Sequence, residues 1–272
     1  LHLSIRRQRQ MRIRDRIINF AHRTFRWDSE ASLKAHVHCV IIGFALSKQS
    51  KNVLYSSEKM MIVDNINPYL VSAPTIIIEN RNKCINKNAP QIYYGSMPID
   101  DGHLILNQKE VDDLIAENEE NKKYIRKYVG GAELIKGKDR WCLWLENVSP
   151  KEIRNSNIIM ERIKLTQEFR KSSNRPQTLA LADTPTLFGE IRQPKTDMIV
   201  IPKVSSENRR YIPISFITPD IIVNGSALII PDASIYHFGV LISNVHMCWM
   251  RTVAGRMKSC LLYTSPSPRD RG

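Results

Sequence analysis

The stretch Ile201 to Phe216, IPKVSSENRRYIPISF, holds the most informative loop of the chain. Two segments that read as strands, Met198 to Val204 and Tyr211 to Phe216, bracket a polar loop of Ser205, Ser206, Glu207, Asn208, Arg209 and Arg210. Ile and Val dominate the flanks, and each flank contains a proline, Pro202 or Pro213, which suits edge or bulged strands better than a central ladder. With Lys203 at its entrance, the loop offers two guanidinium forks, an ammonium, an amide and two hydroxyls on a rigid base. Such groups bind phosphate oxygens and read base edges in DNA, so Lys203, Ser205, Ser206, Asn208, Arg209 and Arg210 form the candidate contact set. A solvated hairpin tip has the same composition, and the loop alone leaves both readings open.

Composition narrows the choice. A chain of 272 residues with 42% hydrophobic residues can bury a core in one large or two modest domains. The net charge of +13 points to a polyanionic partner. Eight arginines at the two ends, offset by Asp15 and Asp270, account for +6 of this and leave +7 for residues 17–259. The five cysteines show no CxxC spacing, as expected in a reducing cytoplasm. No apolar run reaches the roughly 18 residues that span a bilayer, and the Arg-rich start lacks the apolar segment of a signal peptide.

Upstream, Ile17 to Phe25 and Ala35 to Phe44 read as two strands, the second apolar enough to be covered on both faces. Ala45 to Met60 reads as a polar surface loop, and NINPYL, Asn65 to Leu70, as a passage between domains. Ala73 to Asn80 is a short strand candidate. Asn107 with Glu110 predicts a capping box for a helix to about Glu117, followed by a second helix through Tyr124 and Tyr128 to Gly130. Arg140 to Leu145 reads as a buried strand, Ser149-Pro150 with Glu152 as a helix start, and Asn157 to Ser173 as a longer helix. Past the hairpin, strands are expected at Ala227 to Pro231 and His237 to Ile242, and a helix from Ser243 to about Ser259.

Eight blocks in order, FAHRTFRW, AHVHCVIIGF, INPYL, RWCLWLENVSP, TPTLFGEIRQP, the hairpin itself, IPDASIYHFGVLIS and HMCWMRTVAGRMKS, resemble the large restriction-modification polypeptides of the MmeI type. In that family an adenine methyltransferase is followed by a target recognition domain, and the resemblance covers about residues 17–259. It implies a mixed α/β fold: the terminal strands of a class I methyltransferase sheet at residues 17–64, then a mixed α/β (α+β) DNA target recognition domain at 65–259. It implies double-stranded DNA as partner, S-adenosylmethionine as cofactor of the intact enzyme, adenine N6 as the methylated atom and a prokaryotic cytoplasmic setting. In such enzymes the turn of the hairpin supplies an aromatic wall for the flipped-out base; Phe25 and Trp27 stand where that wall is expected, although both can equally cap the end of a sheet.

The same resemblance marks what is missing. A glycine-bearing loop for S-adenosylmethionine and an Asn/Asp-Pro-Pro-Tyr motif, whose oxygens polarise the adenine amine, do not occur in this sequence. Asn67-Pro68-Tyr69 has one proline and follows the hairpin, so it is assigned to the linker. This chain alone is therefore expected to bind no cofactor, to contain no catalytic residue and to be inactive without the rest of the methyltransferase domain. CLLYTSPSPRD, Cys260 to Asp270, matches the translation of a sequencing adapter, and residues 1–16 match nothing expected before FAHRTF. Both ends, 1–16 and 260–272, are accordingly expected to be non-native.

His36-x-His38 with Cys39 has no second pair or carboxylate nearby in sequence, so no metal site is expected. Sequence-specific DNA recognition within an adenine methyltransferase is the favoured reading. The alternative is a non-catalytic nucleic-acid-binding module of a phage-defence system.

Overall fold

A computed structural model describes residues 16–28, 36–47, 49–56, 59–76, 88–206, 209–253, 256–257 and 260–262. The chain divides into two compact units, one of residues 1–85 with 257–259 and the other of residues 86–256 with 260–272.

The first unit is a four-stranded sheet of β1 (Ile17–Asp28), β2 (His36–Ala45), β3 (Asn52–Ser56) and β4 (Lys59–Val63) in the order β2-β1-β3-β4. β1 and β2 form the expected antiparallel pair, with Phe25 opposite Cys39 and Trp27 opposite Val37. β1 runs parallel to β3, which hairpins back into β4. One sheet face buries Ala21 and Leu54 with Ile66. Two expectations fail here. Ala45 to Met60, read as loop, contains β3 and the start of β4, which pair through Val53, Tyr55, Met60 and Ile62, and whose β character was masked by the flanking Ser and Lys. β2 is an edge strand, and Val40, Ile41, Ile42 and Phe44 are exposed rather than covered on both faces.

The second unit begins with β5 (Tyr93–Tyr94), β6 (Ile105–Leu106) and α1 (Gln108–Glu117). Asn107 caps α1 as its sequence predicts: Asn107 Oδ1 accepts from Glu110 N at 3.0 Å and Glu110 returns the bond to Asn107 N. A 3-10 turn, Glu119–Tyr124, leads into β7 (Ile125–Val129), where a helix was expected. β7 is central, paired with β8 (Trp141–Leu143) and, in parallel, with β12 (Ile222–Val223), so neighbouring strands outweigh the helical spacing of the two tyrosines. Between β7 and β8 lies α2 (Gly131–Lys136), and after β8 come α3 (Pro150–Ile153), α4 (Asn157–Lys171) and α5 (Pro176–Ala180). Leu104, Leu114, Leu143 and Ile159 centre the core between these helices and the sheet β12-β7-β8-β6.

The remaining elements carry the hairpin: β9 (Met198–Pro202), β10 (Val204–Ser206), β11 (Ser215–Ile217), β12 and β13 (Ala227–Pro231). They are followed by α6 (Ile235–Leu241), α7 (Asn244–Val253), β14 (Arg256–Met257) and β15 (Cys260–Leu262). The second sheet has the order β11-β9-β13-β5 and is antiparallel throughout. β9 is thus central and wholly buried, not an edge strand; Pro202 is tolerated because it is the last residue of the ladder, opposite Ala227. His237 to Ile242, expected as a strand, lies mostly in α6, whose first turn is closed by Ser234 N donating to His237 Nδ1 at 3.1 Å. α7 starts where expected and ends at Val253, and residues 73–76 of the strand candidate Ala73 to Asn80 are not in a strand while 77–80 lie outside the described residues. β15 pairs antiparallel with β10, Ser205 opposite Leu261, so regular structure continues past residue 259. Among the described residues no helix is long and apolar enough to cross a membrane.

Candidate functional site

The loop after β9 is built outward from the core. Ile199, Ile201, Leu228 and Ile230 of the central strands pack with Ile212, Met247 and Met250, which fixes the far side of the loop and α7 to the same sheet. β11 returns against β9, with Ser215 opposite Val200 and Ile217 opposite Met198. The two flanks read from the sequence therefore do pair, although the second strand starts at Ser215 and not at Tyr211.

Lys203 follows Pro202, and its main-chain N donates to Ser226 O at 3.0 Å. Its Nζ sits 4.8 Å from the centroid of the Tyr94 ring, a cation–π contact that holds the ammonium close to β5. Ser205 is only 3% exposed, and its hydroxyl has no hydrogen-bond partner among the described residues. It faces inward on β10, whereas Ser206 is half-buried. Asn208 lies outside the described residues.

Arg209 and Arg210 are both exposed. Arg209 N donates to Ser206 O at 3.2 Å across the turn. The Arg210 guanidinium carbon lies 5.2 Å from the centroid of the Tyr211 ring, and Tyr211 Oη donates to Asn244 Oδ1 on α7 at 3.1 Å. From the other end of α7, Arg251 Nη2 donates to the carbonyl oxygens of Arg209 and Arg210, 3.0 Å each. Further along this helix, burial lowers the pKa of His246. Two strongly basic forks are thus carried outward on a main chain tied down from beneath, an arrangement suited to phosphate or guanine contacts. Tyr94, Asn244 and Arg251 were not singled out from the sequence. The helix that carries Arg251 was expected from Ser243, but nothing local revealed the bond of Arg251 to a loop about forty residues away.

The aromatic pair lies in the first unit. Phe25 is half-buried and Trp27 is 60% exposed, with ring centroids 6.3 Å apart. A register irregularity between His22 and Phe25 brings the His22 ring edge-on to Phe25 at 4.8 Å, and Tyr55 of β3 stacks on His22 at 5.9 Å. Tyr55–His22–Phe25–Trp27 form one row of rings, of which the sequence indicated only the last two. Asn67, of the NPY triplet, spends its side-chain oxygen on Tyr69 N at 3.0 Å and Val71 N at 3.2 Å, closing a turn instead of facing a substrate. The side chains of His36 and His38 lie outside the described residues, and no group of three or more metal-ligating side chains occurs among the described ones.

Two family models match the chain: the MmeI target recognition domain over residues 72–266 and the MmeI DNA-methyltransferase domain over residues 9–56. DNA methyltransferase A of Bacillus subtilis (strain 168) is 37% identical over 249 residues, which are 91% of this chain and 28% of that protein. A solved structure of the Type IIL restriction-modification enzyme MmeI in complex with DNA is 40% identical with a TM-score of 0.84, over 94% of this chain and 35% of its own. The chain spans about a third or less of the length of these relatives. With the fold and both family models in agreement, the chain belongs to the MmeI family, with a stretch that matches its DNA-methyltransferase domain followed by one that matches its target recognition domain.

Proposed function

We propose that this chain is the sequence-reading part of a site-specific, adenine-N6 DNA methyltransferase of a restriction-modification system. The observation that carries the reading is the exposed pair Arg209 and Arg210 on a loop whose flanks pair in the buried sheet. A guanidinium mounted in this way either neutralises a phosphate or donates its two parallel N–H bonds to O6 and N7 of guanine in the major groove. Ser206 O accepts from Arg209 N at the base of the pair, while Ser205 faces inward on β10.

In the intact protein the recognised duplex is held while one adenine leaves the stack, and Phe25 and Trp27 give that base a new aromatic face. S-adenosylmethionine supplies the methyl group when bound. This chain has neither the glycine loop nor the Asn/Asp-Pro-Pro-Tyr motif, so its own residues do not fit that cofactor. The exposed apolar side chains Val40, Ile41, Ile42 and Phe44 on an edge strand suit burial against the remainder of a methyltransferase domain.

Duplex binding by Arg209→Ala and Arg210→Ala, measured across salt concentrations, tests the reading. Loss of a phosphate contact weakens all sequences alike and reduces the salt slope by about one, whereas loss of a guanine contact removes roughly 1 to 3 kcal/mol of discrimination at one base pair. Both variants binding with unchanged slope and unchanged discrimination would contradict it.

A further inference from the structure

The two carbonyls that Arg251 bridges belong to consecutive residues, yet they converge on one nitrogen, Nη2, at 3.0 Å each. In an extended strand successive peptide groups point opposite ways, so this convergence fixes an irregular main chain at Arg209 and Arg210. The donor is a guanidinium, and such charge-assisted bonds are stronger than bonds between neutral groups. Asn244, near the other end of α7, holds Tyr211 through its hydroxyl, and Met247 and Met250 pack with Ile212 between these two anchors. One face of α7 therefore follows the loop from Arg209 to Ile212.

We infer that Arg251 is a positioning residue for DNA reading: it sets the main chain on which Arg209 and Arg210 are mounted and acts through them. This rests on the proposal that those two arginines contact DNA. Bidentate reading of a base edge depends on direction as well as charge, so a loop released from Arg251 keeps its two charges and loses its aim. Binding to unrelated duplexes then survives better than the preference for one sequence.

The test uses the full chain and has one readout that does not involve DNA. Trypsin cleaves after Arg209 and Arg210, and the rate at those two bonds reports local opening of the loop. Arg251→Ala is expected to raise that rate by about tenfold without lowering the global melting temperature, and to reduce discrimination among single-base-pair duplex variants by about tenfold. Arg251→Lys, which keeps donors near the same carbonyls, is expected to recover part of both effects. In the Arg209→Ala/Arg210→Ala background, Arg251→Ala is expected to cause no additional loss of affinity.

Unchanged cleavage in Arg251→Ala overturns the tether. Faster cleavage with undiminished discrimination overturns its role in reading. A separate loss of affinity and salt slope in the doubly substituted background also overturns the inference, since Arg251 would then contact phosphate itself. If Arg209→Ala and Arg210→Ala alone leave binding untouched, it is the underlying proposal that fails, while the cleavage rate still decides whether the tether exists.

Discussion

Arg170 donates from Nη2 to the carbonyl oxygen of Pro98 at 2.8 Å, joining positions 72 residues apart. The remaining N–H groups are used as well: Nη2 also reaches Leu187 O, Nη1 reaches Leu181 O and Thr184 O, and Nε reaches Ile99 O, all at 2.8 to 2.9 Å. This fully buried guanidinium therefore organises three turns of irregular chain through its five donors. Arg170→Met fills a similar volume but abandons five acceptors, and is expected to cost about 3 to 5 kcal/mol in chemical denaturation. Arg170→Lys, with three donors, should cost less. A loss below about 1 kcal/mol for the methionine variant would contradict this role.

Glu117, at the end of α1, caps the start of α4. Desolvation pushes its pKa up, but the hydroxyl of Ser156, the main-chain N–H groups of Ile158 and Asn157 and the Asn121 amide outweigh it and hold the carboxyl below its usual value of 4.5. The main-chain bonds measure 2.8 Å from Asn157 and 3.2 Å from Ile158. A pKa depressed by folding adds stability above the unfolded value, and that stability is lost as pH falls through the folded one. Because Glu117 is exposed and its charge is screened by solvent, Glu117→Gln is expected to destabilise by no more than about 0.5 kcal/mol at pH 7, with the gap from the parent chain narrowing as pH falls through the carboxyl's range. A gap independent of pH would show that the charge is unimportant.

Where function lies on regular spacing or a capping pattern, the sequence was readable. The Asn107–Glu110 box and the Ser149-Pro150 helix start stand where local rules put them, and the flanks of the Arg209 loop pair as read, although Ser205 and Ser206 belong to β10 and the second strand begins only at Ser215. The failures have a common cause, since long-range pairing overrode local texture. β7 became a central strand because β8 and β12 lie on either side of it, and β9 took the centre of its sheet despite Pro202. His22 joined the aromatic row through a strand irregularity, and Arg251 joined the loop through a fold that no nearby residue announces.

Trp27 should matter to methyl transfer more than to duplex binding. In the intact enzyme, Trp27→Ala is expected to lower labelled-methyl incorporation from S-adenosylmethionine by about tenfold or more while leaving the dissociation constant for duplex DNA within about twofold, since stacking is worth roughly 1 to 3 kcal/mol per base. Equal losses in binding and transfer would instead assign Trp27 to duplex contact. Residues 17–259 alone should incorporate no methyl above a no-protein control.

Removal of residues 260–272 takes away the strand opposite β10. The ladder has three residue pairs, Val204 with Leu262, Ser205 with Leu261 and Ser206 with Cys260, whereas Ile199, Ile201, Leu228 and Met250 of the described core come from β9, β13 and α7. The truncated chain is expected to melt within about two degrees of the full one. A drop of about ten degrees would make β15 an integral part of the domain.

Selection of duplexes from a randomised library by the full chain measures sequence-specific recognition most directly. One shared sequence containing an adenine is expected among the retained duplexes, and the Arg209→Ala or Arg210→Ala chain should retain a version that has become degenerate at one position. Retained DNA with no shared sequence, or no retained DNA at all, would contradict recognition by this domain.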